Sequence, residues 1–152
     1  MLKKMGLVGG IILLIVIIVS SAGIGRIVGK TSVENYYKGK KTAQFEESQK
    51  KFAQSFQSQL PMQVDEVTKL TDVLSVGSSL IYKHTLDITY DQIDIVNFNI
   101  DMKKRLLHNV CTLKDMGKVL EKGGVYVYVY MSSDGLAISS YTIKEADCLG
   151  ID

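Results

Sequence analysis

The strongest constraint on the fold is a stretch that alternates valine and tyrosine, VYVYVYM, from Val125 to Met131. Successive side chains of a β-strand point to opposite faces, so the alternation separates the tyrosines from the valines. The tyrosine face carries Tyr126, Tyr128 and Tyr130. Residues 132–135 have turn composition, and residues 136–143 are apolar enough to pair back. The stretch therefore predicts a β-hairpin in which both faces are covered by other parts of the protein.

A second constraint is an apolar run of about 20 uncharged residues between Lys4 and Arg26, long enough to cross a bilayer as a helix. The run also has the layout of a secretion signal, with basic residues before it and Ser20, Ser21 and Ala22 near its end. An uncleaved anchor is favoured because the run exceeds the usual ~7–15 residues of a signal's apolar region. We therefore expect residues 5–25 to insert in the membrane, and a cleaved signal is the alternative.

The two cysteines, Cys111 and Cys148, indicate the compartment. Basic residues lie on both sides of the apolar run, so charge alone does not orient it. An isolated pair of cysteines in an exported domain is usually a disulfide, and this pair would close a loop of about 37 residues. We expect a single-pass protein of the bacterial inner membrane with its soluble domain in the periplasm, or a protein secreted to the periplasm if the signal is cleaved.

Changes in composition along the chain predict three parts. These are an anchor or signal segment at residues 1–30, a polar amphipathic helix or tether at 31–60, and a periplasmic domain at 61–152. The predicted fold class is α+β, with an N-terminal transmembrane helix followed by a small domain whose antiparallel sheet is packed by helices.

The predicted tether helix carries one apolar stripe. Phe45, Phe52, Phe56 and Leu60 recur at spacings that place them near one face of a helix. The stripe predicts docking on the domain core, and a coiled-coil or protein partner is the alternative. The three phenylalanines are therefore candidate partner-binding residues.

The middle of the chain predicts a mixture of strands and helices. Periodicity leaves residues 64–74 open between a short helix and a strand. A half-buried strand begins near residue 80 and places His84 on its apolar face. A helix is predicted over residues 91–110, with Val96 and Ile100 on its apolar face together with Leu107 and Val110.

A further helix is predicted to begin at a capping box formed by Thr112 and Asp115. Its inward side chains would include Leu113, and Gly123 and Gly124 would end it.

Catalytic groupings are missing from the sequence. His84 and His108 lie too far from other ligand types for a recognisable zinc motif, and no nucleotide-binding or hydrolase motif is present. A formal net charge of +2 argues against nucleic acid as a partner. We therefore predict a protein that is not an enzyme and that uses no metal or cofactor.

Several motifs together resemble those of the small periplasmic pilotins of type II secretion, the GspS-beta/AspS class. These are QLP at residues 59–61, the NVC that ends at Cys111, LEKGGVYVY from Leu120 to Tyr128, a turn glycine and the C-terminal cysteine. The resemblance implies a disulfide-stapled α/β domain that binds the C-terminal segment of a secretin subunit. It also implies a lipidated cysteine at the mature N-terminus, which this sequence does not contain.

The sequence therefore predicts a membrane-anchored periplasmic protein-interaction module, an accessory of an envelope secretion or assembly system. An immunity or exclusion protein that acts at the periplasmic face of the inner membrane is the alternative. Tyr126, Tyr128 and Tyr130 join the three phenylalanines as candidate partner-binding residues.

Overall fold

A computed structural model describes residues 38–151 of the chain. Contacts divide the chain into two units, Met1–Lys41 and Thr42–Asp152. The predicted membrane span at residues 5–25 lies outside the described residues. Among residues 38–151, no helix is both long enough and apolar enough to cross a bilayer.

Five strands form one sheet in the order β1-β2-β3-β4-β5. They are β1 (Met62–Gln63), β2 (Thr68–Val76), β3 (Ser79–Leu86), β4 (Val125–Met131) and β5 (Ala137–Ile143). Three of the four pairings are antiparallel, but β3 and β4 are parallel. The prediction of an antiparallel sheet is wrong at that pairing. Helices between β3 and β4 carry the chain back to the end of the sheet at which β3 begins, so β4 runs in the same direction as β3.

The predicted hairpin is confirmed. Tyr126 lies opposite Ile143 and Tyr130 lies opposite Ser139, so the strand that alternates valine and tyrosine pairs with the segment that follows the turn. Gly135 supplies the positive φ of the turn, at 80°. Upstream, the ambiguous residues 64–74 are a strand from Thr68 onward, where β2 pairs with β3, whereas residues 64–67 form the connection between β1 and β2.

Within residues 38–151, three α-helices accompany the sheet: α1 (residues 38–56), α2 (Ile95–Thr112) and α3 (Lys114–Glu121). Asp94 caps α2 by accepting a hydrogen bond from the Asn97 amide at 3.1 Å. The predicted capping box at Thr112 is wrong, because α2 continues through Thr112, whose hydroxyl donates to the His108 carbonyl. Gly123, at φ 82°, ends α3 as predicted.

The core lies between the tyrosine face of the sheet and the helices. Leu106 and Val110 of α2, Leu120 of α3 and Ala53 of α1 are buried there. The opposite face is half-buried at Val125, Val127 and Val129, so the prediction that both faces are covered holds for the tyrosine face only.

Candidate functional site

An open cleft runs along one side of α2, and we name it the α2 cleft. Its second wall is the connection between β1 and β2, and its floor is the tyrosine face of the sheet. Two adjoining cavities of about 290 and 230 Å³ share Asp65, Thr68, Met102 and Arg105. The lining is mostly apolar with a few polar groups, which is the usual composition of a binding cleft.

Three exposed apolar side chains form the rim of the α2 cleft. Val64, Val67 and Leu113 are 54%, 44% and 55% exposed. The two valines flank a turn in which the Asp65 carboxylate accepts a hydrogen bond from the Val67 amide at 3.0 Å. Single exposed apolar residues are ordinary, but three around one concavity mark a contact surface.

The sequence prediction that the Leu113 side chain points inward is wrong, because this side chain is exposed. Leu113 is the N-cap residue of α3 and precedes the buried face of that helix, whose buried residue is Leu120. Its exposure therefore comes from the junction between α2 and α3, where the chain changes direction.

His84 lies in the floor of the α2 cleft and is 7% exposed. Its ring stacks between Tyr128 and Tyr130, at centroid distances of 6.2 and 4.8 Å. Burial lowers the pKa of His84, and the nearby backbone of Val129 and Tyr82 offsets only part of that effect. Its Nδ1 has no hydrogen-bond partner of good geometry. The ring is therefore an uncharged part of the floor at neutral pH, as the sequence position on an apolar strand face indicated.

Asp65 and Arg105 carry opposite charges on the two walls of the cleft. Burial alone would raise the pKa of Asp65, but hydrogen bonds from Val67 and Thr68 and the positive charge of Arg105 leave this pKa below its usual value. The two side chains do not form an ion pair within the described chain. Asp101 also lines the smaller cavity, so the cleft offers one basic and two acidic groups to an incoming segment.

The three candidate tyrosines are core residues in this structure. Tyr126, Tyr128 and Tyr130 are all buried, because their strand face lies under the helices. Burial raises the pKa of Tyr126 and of Tyr130 to about 12 and also raises the pKa of Tyr128, so the three phenols stay uncharged at physiological pH. Tyr128 and Tyr130 line the larger cavity of the α2 cleft, whereas Tyr126 does not.

The candidate phenylalanines of α1 do not form the single stripe that was predicted. Phe56 packs against the core, and Phe45 is half-buried beside Gly124. Phe52 is exposed and touches only the edge of the Phe56 ring among aromatic neighbours. The prediction that Phe52 docks is wrong, because the buried positions of α1 are Gln49 and Ala53, which follow Phe45 at the four-residue spacing of a helix face.

The predicted disulfide between Cys111 and Cys148 is present, with a Cα–Cα distance of 5.4 Å. It joins the last turn of α2 to a 3-10 helix at Glu145–Cys148 that follows β5. The bridge therefore holds the end of the hairpin against the helix that forms one wall of the α2 cleft.

Metal-binding groups are not assembled in the described part of the chain. Among residues 38–151, no cluster of three histidine, cysteine, aspartate or glutamate side chains could hold a metal ion. The α2 cleft instead combines an apolar rim, a neutral aromatic floor and charged groups of both signs, which suits the binding of a polypeptide segment.

These features define a class: a small disulfide-linked α+β domain with a binding cleft between one helix and a mixed sheet. Solved structures with a similar fold include the pilotin EpsS of the Vibrio vulnificus type II secretion system, with a TM-score of 0.63 and 16% identity over 72% of this chain and 96% of that one. The type II secretion pilotin AspS of Vibrio cholerae is similar at a TM-score of 0.58 and 14% identity, over 72% of this chain and 97% of that one.

A protein of Pseudomonas aeruginosa thought to be secreted is also similar, at a TM-score of 0.62 and 14% identity over 71% of this chain and 96% of that one. No protein-family model matches the chain, and no curated protein matches it in sequence. The predicted resemblance to the pilotins is therefore confirmed at the level of the fold.

The sequence did not identify the rim of the α2 cleft. Val64 and Val67 lie in the segment whose secondary structure stayed ambiguous, and their exposure depends on a turn that only the folded connection reveals. The position of Arg105 opposite Asp65 likewise depends on contacts between residues far apart in the chain, which helical periodicity does not reveal.

Proposed function

We propose that this protein is a membrane-anchored periplasmic accessory of an envelope secretion system and that it acts by binding a segment of a partner protein. The observation that carries the proposal is the exposed apolar rim of the α2 cleft, formed by Val64, Val67 and Leu113. The fold shared with two type II secretion pilotins supports the secretion role. These neighbours lend no support to the immunity or exclusion alternative.

The composition of the α2 cleft defines the chemistry of the partner segment. Apolar side chains would fill the two cavities and cover the rim, burying surface that is now exposed to water. A basic group near Asp65 and an acidic group near Arg105 would fix the orientation of the segment. The resemblance to pilotins suggests the C-terminal segment of a secretin subunit as this partner. In this proposal Tyr128 and Tyr130 contact the segment through the cavity floor.

The phenylalanines and the anchor complete the proposal. Phe52 remains a candidate contact because its ring is exposed, whereas Phe56 packs against the core and Phe45 lies beside Gly124. Residues 5–25 would hold the protein at the inner membrane in place of the lipid that anchors the pilotin class. A reporter that is active only in the periplasm, fused after Asp152, should be active, and activity of a cytoplasm-specific reporter there would contradict the proposed location.

Site-specific photo-crosslinking in the native host tests the binding site. A photoreactive amino acid at Val64 or Leu113 of the full-length protein should capture one distinct envelope protein. The matched control is Val76, which is 64% exposed but lies at the turn between β2 and β3, outside the cleft. Capture at Val76 alone, or equal capture at all three positions, would contradict the α2 cleft as the binding site.

Loss of the protein tests its role in secretion. A strain without the gene should secrete less of its type II substrates, and Leu113→Asp should reproduce that loss while the protein accumulates normally. Leu113→Ala, which truncates one of the three rim side chains without adding a charge, should give an intermediate defect. Normal secretion in the strain without the gene would overturn the proposed function.

A further inference from the structure

The sheet has one edge that the described chain leaves uncovered. β5 is the outermost strand and pairs only with β4. On the other side, the two-residue strand β1 and the side-chain amide of Gln57, which donates to the Val73 carbonyl at 3.0 Å, cover part of β2. Within residues 38–151, no group hydrogen-bonds to the outward backbone of β5.

Most of β5 lacks the features by which edge strands usually prevent pairing. Its one irregularity is a bulge at Ile138, near the start of the strand, because Tyr130 pairs with Ser139 while Met131 pairs with Ala137. The strand is 7 residues long, reads AISSYTI, and contains neither a charged residue nor a proline. Edge strands that must stay single are commonly shortened, bulged or guarded by lysine and proline. The outward N–H and C=O groups of β5 are therefore available to an added strand.

A groove of about 530 Å³ lies between β5 and α2, and we name it the β5 groove. Leu106, Leu107 and Ile143 give it apolar walls. Asn99 of α2 accepts hydrogen bonds from the hydroxyls of Ser139 and Tyr141, which ties the helix to the strand. The groove is thus a fixed feature of the packing between these two elements.

Exposed apolar residues of α2 extend the wall of the β5 groove. Val96 and Ile100 are 69% and 62% exposed. They are followed at helical spacing by Lys103 and Leu107, both of which line the groove, so the four side chains share the face of α2 that looks toward β5. The sequence had assigned Val96 and Ile100 to the buried face of the helix, and their exposure leaves this stripe without a described partner.

We propose that the β5 groove binds an extended segment of a partner protein, which adds to β5 as a sixth strand. Alternate side chains of a strand face one side of the sheet, so every second residue of the segment would enter the groove. Apolar residues at those positions would cover Val96, Ile100 and Leu107. An acidic residue of the segment would pair with Lys103, which makes no ion pair with any residue from 38 to 151.

The charge of Lys103 favours a foreign segment over a second copy of this chain. β5 has no acidic residue, so pairing of two β5 strands would leave Lys103 without a partner along the strand. The acidic residue of the groove, Asp147, lies in the 3-10 helix that follows β5 and forms no ion pair with Lys103 in the described chain. The β5 groove lies on the flank of α2 opposite the α2 cleft, and the two share only Leu106. This inference goes beyond the proposed function, and either one can fail while the other stands.

Selection of short random peptides displayed on phage, against the full-length protein in detergent micelles, tests the proposal. The enriched peptides should alternate apolar and polar residues and carry an acidic residue at a constant position. Lys103→Glu should weaken their binding by about tenfold or more, as for the loss of a central charged contact. Lys104→Glu is the matched control, because the neighbouring lysine points away from the groove, and it should leave the affinity unchanged.

Methylation of peptide backbone nitrogens tests strand addition itself. Two sets of peptides are compared, one methylated at the odd-numbered amides and the other at the even-numbered amides. One set should lose binding and the other should keep it, because only alternate amides of an added strand face β5. Ile100→Asp should also weaken binding.

Three outcomes would overturn the proposal. These are enrichment of peptides with helical spacing, equal loss with Lys103→Glu and Lys104→Glu, and dimerisation of the protein through β5 in place of peptide binding. Peptides weakened only by Leu113→Asp would belong to the α2 cleft and would count against the β5 groove.

Discussion

The imidazole of His84 lies nearly parallel to the phenol ring of Tyr130, with 4.8 Å between the ring centroids and 14° between the planes. Tyr128 covers the other side of the imidazole at 6.2 Å. The histidine is therefore stacked as an aromatic residue in the floor of the α2 cleft. Stacking of this kind suits the neutral imidazole, because protonation would place a charge in a buried site with no hydrogen-bond partner for Nδ1.

Acidification should destabilise the domain through His84. Burial lowers the pKa of His84 in the folded state, so the unfolded state binds the proton more tightly. The stabilisation is fully present above the unfolded pKa of about 6.5 and is lost as the pH falls from there through the lower folded pKa. Thermal unfolding of the full-length protein in detergent should show a melting temperature that decreases as the pH is lowered through this window.

His84→Phe should remove much of that pH dependence. The replacement keeps a flat ring between Tyr128 and Tyr130 and removes the group that takes up the proton. His108→Gln, at an exposed position of α2, is the control for the loss of a histidine. If His84→Phe and the parent protein lost stability equally as the pH is lowered, the pH dependence would not come from His84.

Truncation of two α1 phenylalanines should distinguish a core position from a surface position by its effect on stability. Phe56→Ala should lower the free energy of unfolding by roughly 2–3 kcal/mol, because Phe56 packs against the core. Phe52→Ala should cost about 1 kcal/mol or less, since its ring is exposed and loses mainly an edge contact with Phe56. Urea unfolding of both variants measures the difference, and equal losses would show that Phe52 is buried in solution.

The hairpin could be predicted from the sequence because its signal is local. The alternation from Val125 to Met131 and the turn at Gly135 determine the register without any distant contact. The parallel pairing of β3 with β4 could not be predicted in this way. It depends on how α2 and α3 cross the sheet, and the residues of the two strands do not indicate the course of that connection.

The faces of α2 show the limit of periodicity. One apolar stripe contains Phe98, Met102, Leu106 and Val110, and a second contains Val96, Ile100 and Leu107. Both repeat at helical spacing, so the sequence alone does not decide which of them is buried. Packing on the sheet buries the first, and the exposed second stripe becomes a wall of the β5 groove.

Glycine at position 124 should be required for the passage from α3 to β4. A Cβ atom there would lie 2.5 Å from the Val119 Cγ1 and 2.6 Å from the Val119 carbonyl oxygen. The backbone oxygen cannot move without disturbing the end of α3, so Gly124→Ala should cost roughly 1–3 kcal/mol. Gly117→Ala is the matched control, because a Cβ atom at Gly117 meets nothing within 4 Å.

Gly117→Ala should in fact stabilise the domain by about 0.5–1 kcal/mol, since alanine favours the helical backbone of α3. Opposite signs for the two substitutions in urea unfolding would support the packing described at the start of β4. Equal effects would mean that the close approach of Gly124 to Val119 is not maintained in solution.

The disulfide links the stability of the domain to its compartment. Cys111 and Cys148 are 37 residues apart, and opening the bridge should lower the free energy of unfolding by roughly 3–4 kcal/mol, chiefly because the unfolded chain gains freedom. Cys148→Ser should therefore unfold at a lower urea concentration than the parent protein. Cys111→Ser and the double variant should match it, because either substitution removes the same bridge.

Reductant supplies the matching control for the disulfide. It should shift the unfolding of the parent protein to that of Cys148→Ser and should leave the variant itself unchanged. Because disulfides persist in the periplasm and are rare in the cytoplasm, protein isolated from the native host should resist alkylation at both cysteines until it is reduced. Free thiols at Cys111 and Cys148 in freshly isolated, denatured protein would contradict both the bridge in the cell and the proposed periplasmic location.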